Sequence, residues 1–142
     1  MVTYHFYRNN TMLGWLIRKV SDGRYDHVAI GINGKLYEAQ PRGGVTVRNC
    51  DFDFSSNYAQ FFDLNEARVE KFLKAQVGKK YDYVGCMSFA WRFFSPRIGK
   101  WYCSELAMAS LMKGYKVSSE DYDQKQSPQS FFALCKLIIK IA

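Results

Sequence analysis

The sequence predicts a single α+β domain in which an antiparallel sheet packs against helices. With 142 residues the chain is long enough for one buried core, and we expect residues 1–142 to form one domain. Hydrophobic residues make up 48% and charged residues 23%, which is typical of a folded globular protein. The two strongest local patterns are a β-hairpin centred on Asn33-Gly34 and an amphipathic helix over 65–78.

The N-terminal half carries most of the strand patterns. Short runs rich in β-branched and aromatic residues are separated there by Gly, Asn and Asp. Asn-Gly between HVAIGI and KLYEAQ is the preferred two-residue hairpin turn, and Gly43-Gly44 makes the next turn. The expected strands are 2–8, 27–32, 35–40, 45–48 and 58–64, with a helix over 11–20 capped by Asn10-Thr11.

The C-terminal half is mainly helical in pattern. The helix over 65–78 should begin after Asn65 and stop at Gly78, with one buried stripe formed by Val69, Phe72, Leu73, Gln76 and Val77. Further helices are expected over 86–94, over 103–114 and after Ser127-Pro128, where a capping serine precedes a proline. A polar linker over 118–126 separates the last two, and LIIKIA (137–142) should close the chain as a strand.

Charge and hydropathy exclude several classes of protein. The net charge is +7 and the pI is near 9.3, but the basic residues are scattered and form no basic arm. No motif resembles a helix-turn-helix, an RNP motif or a zinc finger, so nucleic-acid binding is not expected. MVTYHFYRNN lacks the layout of a secretory signal, and no apolar run reaches the ~20 residues of a membrane helix. We therefore expect a cytoplasmic protein.

The four cysteines are spaced in a way that argues against metal binding. They stand at 50, 86, 103 and 135 without a Cys-x-x-Cys pair, which excludes a zinc ribbon or a dithiol redox motif. Without an export signal, reduced thiols are expected. Cys50, Cys86 and Cys135 are interpreted as core residues, and His5 as a packed, hydrogen-bonded strand residue.

Cys103 differs from the other cysteines in its position. It opens the predicted helix CSELAMASLMKG, and it shares one stripe with Leu106, Ala107, Ser110 and Gly114. This small, apolar stripe suits close packing on a sheet, so the thiol should point into the protein. Unpaired N–H groups and the positive end of the helix dipole favour a thiolate there, and they can stabilise an adjacent oxyanion.

The hairpin supplies a base and a group to orient it. If Asn33 and Gly34 form the turn, His27 lies opposite Gln40, and Glu38 lies diagonal to His27 on the same face. A carboxylate at Glu38 can hold the imidazole of His27, and Gln40 is the alternative for that role or an oxyanion donor. From spacing alone, a Cys103–His27–Glu38 site is one of several arrangements.

Five motifs in order resemble one family. The segment FYRNNTMLGWLIRKVSDGRYDHVAIGI, followed by KLYEAQPRGGV, VGKKYDYVG, KWYCSELA and SPQSFFAL, resembles the circularly permuted NlpC-type, papain-like cysteine hydrolases of the YiiX/YebB-like branch. The resemblance covers nearly the whole chain. It implies a permuted papain-like fold, in which the histidine strand precedes the cysteine helix.

The resemblance also implies roles for particular residues. The nucleophile falls on Cys103, the base on His27 and the third polar residue on Glu38, while Tyr81 and Tyr102 stand beside the site as candidates for oxyanion or substrate contacts. Such a thiol hydrolase, an amidase or peptidase, cleaves an amide or peptide bond through an acyl-enzyme and needs no cofactor and no metal. The substrate class is a small peptide, a cell-wall peptide or an acyl-amide. The loops at 21–26, 41–57 and 92–100 should shape its groove.

Two other functions stay open. The scaffold could serve a lipid-directed acyltransferase or phospholipase, because the net charge of +7 and the aromatic residues suit weak association with a membrane surface. The lecithin:retinol acyltransferase-like group, however, has a second histidine where Glu38 stands. A basic nucleic-acid-binding module ranks third. Family members often carry an export signal that this sequence lacks, so a cytoplasmic or phage-encoded enzyme is expected.

Overall fold

The strands form one open antiparallel sheet with the order β4-β3-β2-β1-β5. The computed structural model describes residues 1–50, 52–87, 99–118 and 126–141. In these residues the predicted α+β class is confirmed. The strands are β1 Val2–Tyr7, β2 His27–Ile32, β3 Lys35–Gln40, β4 Gly44–Asn49 and β5 Tyr58–Phe62.

The hairpin between β2 and β3 has the predicted turn and register. Asn33 and Gly34 have φ angles of 48° and 72°, as a two-residue hairpin turn with both central residues left-handed requires. Ile32 lies opposite Lys35, and Ile30 lies opposite Tyr37. This register places His27 and Glu38 on one face of the sheet, because side chains alternate along each strand.

The interior strand β1 is buried along its whole length. It pairs with β2 on one side and β5 on the other, and Tyr7 lies directly opposite His27. Tyr4 and Phe6 point to the helical side of the sheet, where both rings contact Phe131. The strand next to the candidate base is therefore held by a core on one face and by two neighbouring strands.

The helices pack mainly on one face of that sheet. Helix α4 contacts β2, β3 and α2, and its residues from Cys103 to Leu111 are all buried. The predicted stripe holds, and Gly114 at its end lets Leu64 approach closely. The helices are α1 Met12–Ser21, α2 Glu66–Gln76, α3 Tyr83–Cys86, α4 Cys103–Tyr115 and α5 Pro128–Ile141.

Three of the predicted helix starts have the expected caps. The side chains of Thr11, Asn65 and Ser127 accept hydrogen bonds from backbone N–H groups two or three residues into α1, α2 and α5. Helix α4 is capped differently. Tyr102 at its N-cap gives no side-chain cap, and the Glu105 carboxylate instead accepts the backbone N–H of Tyr102.

Three sequence predictions need correction. LIIKIA is not a strand, because α5 continues to Ile141 and keeps Phe131, Cys135 and Ile138 on one packed side. Val77 is 40% exposed because α2 ends at Gln76, so it does not join the buried stripe. Helix α4 runs past Gly114 and ends at Tyr115, with Lys116 as its C-cap at a left-handed φ of 64°.

Two further predictions lie largely outside the described residues, namely the helix over 86–94 and the linker over 118–126. Of the first, only Cys86 and Met87 are described: Cys86 is the last residue of the short helix α3, which Asp82 caps, and Met87 is its C-cap. Among the described helices, none has the length and apolar content needed to cross a membrane.

The start of β4 is tied to the segment that leads to Tyr81. The backbone N–H of Val45 donates to the carbonyl of Lys79 at 2.8 Å, and the N–H of Gly78 donates to the carbonyl of Val45 at 2.9 Å. Gly44 makes this approach feasible, since an added Cβ would lie 2.1 Å from the Lys79 oxygen. Its φ of 71° is also left-handed.

The contact at Gly44 predicts a stability difference between two glycine variants. Gly44→Ala should lower the free energy of unfolding by about 1–3 kcal/mol more than Gly78→Ala, because overpacking adds to the cost of a left-handed alanine. Gly78 has a φ of 86° but nothing within 4 Å of an added Cβ, so it measures the backbone cost alone. Denaturant unfolding measures the free energy of unfolding of both variants. Equal losses would contradict the close approach.

Candidate active site

His27 and Glu38 form the pair that the hairpin register predicts. His27 Nε2 lies 2.8 Å from Glu38 Oε2. Both side chains are mostly buried, with 16% and 10% of their surfaces exposed. A hydrogen bond to a carboxylate fixes the orientation of the ring and the proton on Nε2. The other ring nitrogen, Nδ1, is left to face a different group.

Cys103 lies near this pair. Its Sγ lies 4.0 Å from the backbone oxygen of Asp26, the residue before His27, and its side chain is close enough to raise the pKa of the His27 imidazole. The start of α4 therefore lies against the start of β2. The thiol, the imidazole and the carboxylate that the sequence predicts for one site thus lie in one region of the fold.

The charges in this chain reinforce one another. Burial lowers the pKa of His27, but its hydrogen bonds with Cys103 and Glu38, and the charges of those groups, raise the pKa to about 10. Burial raises the pKa of Glu38, yet the hydrogen bonds from His27 and Gln40 and the nearby charge of Arg48 bring that pKa below its usual value. At neutral pH the pair is an imidazolium and a carboxylate.

Cys103 opens α4, where the backbone N–H groups of the first turn have no intrahelical partners and the helix dipole is positive. The same N–H groups can stabilise an oxyanion formed when the sulfur attacks a carbonyl. The arrangement therefore combines a nucleophile, a proton donor and an anion-stabilising helix end.

Gln40 and Glu38 have separate roles. The sequence left open which of them is the partner of His27. In the structure Glu38 is hydrogen-bonded to His27. Gln40 lies beside the Glu38 carboxyl group, where its amide helps to lower the pKa of that group, and it also lines the adjacent cleft.

The two tyrosines expected near the site are placed differently. Tyr81 lines the cleft, and its hydroxyl donates to Cys86 Sγ at 3.3 Å. Burial and the charge of Cys103 raise its pKa well above the usual value, so its hydroxyl stays protonated. Tyr102 is fully buried and does not line the cleft. The structure thus brings Tyr81 beside the site but leaves Tyr102 in the core at the start of α4.

The other thiols are free and differ in exposure. Cys86 and Cys135 are buried, as expected, whereas Cys50 is only partly buried. Burial raises the pKa of Cys86 to about 12 and raises that of Cys135 further. His5 is also buried, with Nδ1 3.2 Å from Ser56 Oγ, and burial lowers its pKa.

Three residues behind Glu38 extend the site. Arg48 Nε lies 3.7 Å from Glu38 Oε1, and Arg48 Nη2 lies 2.5 Å from Asp53 Oδ2. The Tyr7 hydroxyl donates to the same Asp53 oxygen at 2.8 Å, and the Tyr7 ring lies 5.6 Å from the His27 ring. The network surrounds the His27–Glu38 pair with fixed polar groups.

The sequence held a signal for two of these three residues. Strand alternation and antiparallel pairing would have put Tyr7 opposite His27 and Arg48 on the face of Glu38. Asp53 follows no strand or helix pattern, so its place could be found only from the folded chain.

Asp26 is a further residue that the sequence analysis did not single out. Its buried carboxylate accepts the backbone N–H and the side-chain amide of Asn9, at 2.9 and 2.8 Å, and pairs with the guanidinium of Arg18. Arg18 belongs to α1, so this carboxylate fastens the helix to the residue that precedes His27.

A cleft of about 910 Å³ opens beside the catalytic candidates. Its walls come from α1, from the ends of β2 and β3, and from the segments 41–42 and 53–55, so the loop expected at 41–57 does shape it. His27, Glu38, Gln40 and Tyr81 line it. Cys103 is 2% exposed and is not part of the lining, so its sulfur lies below the cleft wall.

The described residues include no group of three His, Cys, Asp or Glu side chains arranged to hold a metal ion.

The two histidines provide an internal comparison for the site. In an NMR titration, His27 should stay protonated through neutral pH and lose its proton near pH 10, whereas His5 should titrate below 6.5. Cys103→Ala and Glu38→Gln should each lower the pKa of His27 and leave His5 unchanged, because the first removes the thiol beside the ring and the second removes the negative charge of the carboxylate. Two titrations near 6.5 would rule out the paired imidazolium.

The same pairing sets the pH dependence of stability. The folded pKa of His27 is raised to about 10, above its ordinary 6.5, so its contribution is complete below about pH 6.5 and is lost as the pH rises through 10. The free energy of unfolding of the protein should therefore fall more steeply than that of His27→Gln between these pH values. Parallel curves would contradict this.

Comparison with known proteins gives no match. No family model matches the chain. No curated protein and no solved structure matches it significantly. A function for this chain therefore has to be inferred from its own residues and their geometry.

Proposed function

We propose that the protein is a thiol hydrolase of the amidase or peptidase type. The supporting observation is that His27 is hydrogen-bonded to the Glu38 carboxylate while the Cys103 side chain lies close enough to the same imidazole to raise its pKa. Nucleophile, base and orienter are the three parts that acyl transfer by a cysteine enzyme requires.

The reaction that these groups support has two steps. The Cys103 thiolate attacks the carbonyl carbon of the amide, and N–H groups at the start of α4 stabilise the oxyanion. His27 gives its proton to the leaving amine, the C–N bond breaks, and an acyl-enzyme remains. Water then attacks the thioester while His27 accepts its proton, and release of the carboxylic acid restores the thiolate–imidazolium pair.

The proposed fold is the circularly permuted papain-like fold. Two observations support it: the histidine is at the start of a strand that precedes the cysteine helix in the chain, and the cysteine helix packs against the sheet. The order of sheet strands and the helix α1 between β1 and β2 are compatible with it. In this proposal the cleft beside His27 receives the acyl side of a small peptide or acyl-amide.

Alkylation with iodoacetamide tests the nucleophile without knowledge of the substrate. At pH 6, Cys103 should react faster than Cys50, although Cys50 is more exposed, because the His27 imidazole can assist the attack of the Cys103 sulfur. His27→Ala should slow the labelling of Cys103 by at least about tenfold, because it removes that base. Mass spectrometry of tryptic peptides identifies the labelled residue.

Cys50 serves as the control within the same sample, since its labelling should not respond to His27→Ala. Equal labelling of all four cysteines at pH 6 would exclude an activated Cys103. If Cys103 labels first and His27→Ala has no effect, the thiol is reactive but His27 is not its partner. The unfolding transition of His27→Ala should match that of the unchanged protein, which shows that the labelling is measured on folded protein in both samples.

A further inference from the structure

Helix α1 has an apolar face that points to solvent. Met12, Trp15, Leu16 and Val20 recur at the three- and four-residue spacing of one helical face, and we call these four residues the outer face of α1. Met12 is 86% exposed and Trp15 is 54% exposed. Gly14 and Ile17, on the opposite side of the helix, are the residues that pack into the protein.

This pattern differs from ordinary surface hydrophobicity. Single exposed apolar residues are common on soluble proteins, but a contiguous apolar strip rimmed by polar groups is typical of an interaction surface. Within the part of the chain that the structure describes, the nearest helix, α5, contacts the end of α1 through Gln129, beside Gly23 and Arg24. It leaves the outer face uncovered.

Positive charge surrounds the outer face. Arg8 and Arg24 are exposed near the two ends of the helix, and Lys19 lies among the apolar residues of the outer face, with Nζ 5.2 Å from the centre of the Trp15 ring. Beside Trp15 a depression of about 470 Å³ is bounded by Arg8, Arg18 and Lys19, with Asp22 as its acidic residue. The whole chain has a net charge of +7. The surface is therefore complementary to a layer of negative charge with an apolar interior.

We propose that the outer face of α1 docks onto an anionic lipid bilayer. The helix lies in the plane of the surface, with its apolar side chains at the boundary of headgroups and acyl chains and the arginines and lysine among the headgroups. A tryptophan suits that boundary, because its ring is apolar while its N–H group is polar. A cation over the ring can stay among the headgroups.

Docking of this kind would hold the cleft within one helix diameter, ~10 Å, of the lipid surface. Leu13, Gly14 and Ile17 line the cleft from the inner side of α1, while the outer face of the same helix meets the lipid. Lipid binding itself does not depend on catalysis. Only its consequence rests on the proposed function: a substrate of the hydrolase would then be an acyl group or peptide attached to a lipid.

Vesicle co-sedimentation tests the docking surface. The full chain should bind vesicles of phosphatidylcholine with phosphatidylserine at least tenfold more tightly than vesicles of phosphatidylcholine alone, and added salt should weaken the binding. The double variant Trp15→Ser with Leu16→Ser should lose most binding to both, because it removes apolar contact. Lys19→Glu should weaken binding to the anionic vesicles only.

Two matched controls lie elsewhere on the surface. Tyr115→Ser removes an apolar side chain that is 45% exposed at the far end of α4, and Lys71→Glu reverses an exposed charge on α2. Both should bind vesicles as the unchanged protein does. Unfolding curves show that each variant is folded.

Several results would overturn the proposal. Absence of vesicle binding, or binding that the Trp15/Leu16 variant leaves unchanged, would exclude the outer face as the lipid contact. Sedimentation velocity provides a second test. If the unchanged protein self-associates and the double variant is monomeric, the outer face of α1 binds another copy of the chain and not a bilayer. Alkylation of Cys103 should be the same in all these variants, so failure of lipid docking is separable from failure of the proposed hydrolase.

Discussion

The candidate site depends on one interaction, the hydrogen bond between His27 and Glu38 across the β2–β3 hairpin. The turn at Asn33-Gly34 fixes the register, and the register puts the carboxylate diagonal to the imidazole. A shift of the register by one residue would send the two side chains to opposite faces of the sheet. The contact with Cys103 would then have no oriented base, however well α4 packed.

The local part of this arrangement could be predicted from the sequence, since it follows from short-range rules. Asn-Gly specifies the hairpin, strand alternation places His27 and Glu38 on one face, and the stripe from Cys103 to Gly114 predicts which side of α4 is buried. The contact between Cys103 and His27 is different in kind. It joins positions far apart in the chain, so spacing left it as one of several arrangements, and the resemblance to a family favoured it among them.

The errors have equally specific causes. Ile and Leu at the end of the chain favour a strand by local propensity, yet their three- and four-residue spacing continues the packed side of α5, and packing prevailed. Asp53 could not be found because the segment between β4 and β5 has no periodic pattern. Arg48 and Tyr7 could have been found by extending the pairing rule one strand further on each side, which the sequence permitted.

The carboxylate of Asp26 has a consequence for how this protein can diverge. It joins Asn9, Arg18 and the residue next to His27 in a nearly solvent-free setting, with 1% of its side-chain surface exposed. Loss of either charged partner alone would leave a buried charge uncompensated, a change that typically costs about 3–5 kcal/mol. Positions 9, 18 and 26 should therefore be replaced together or retained together in related sequences, independently of the residues that carry the chemistry.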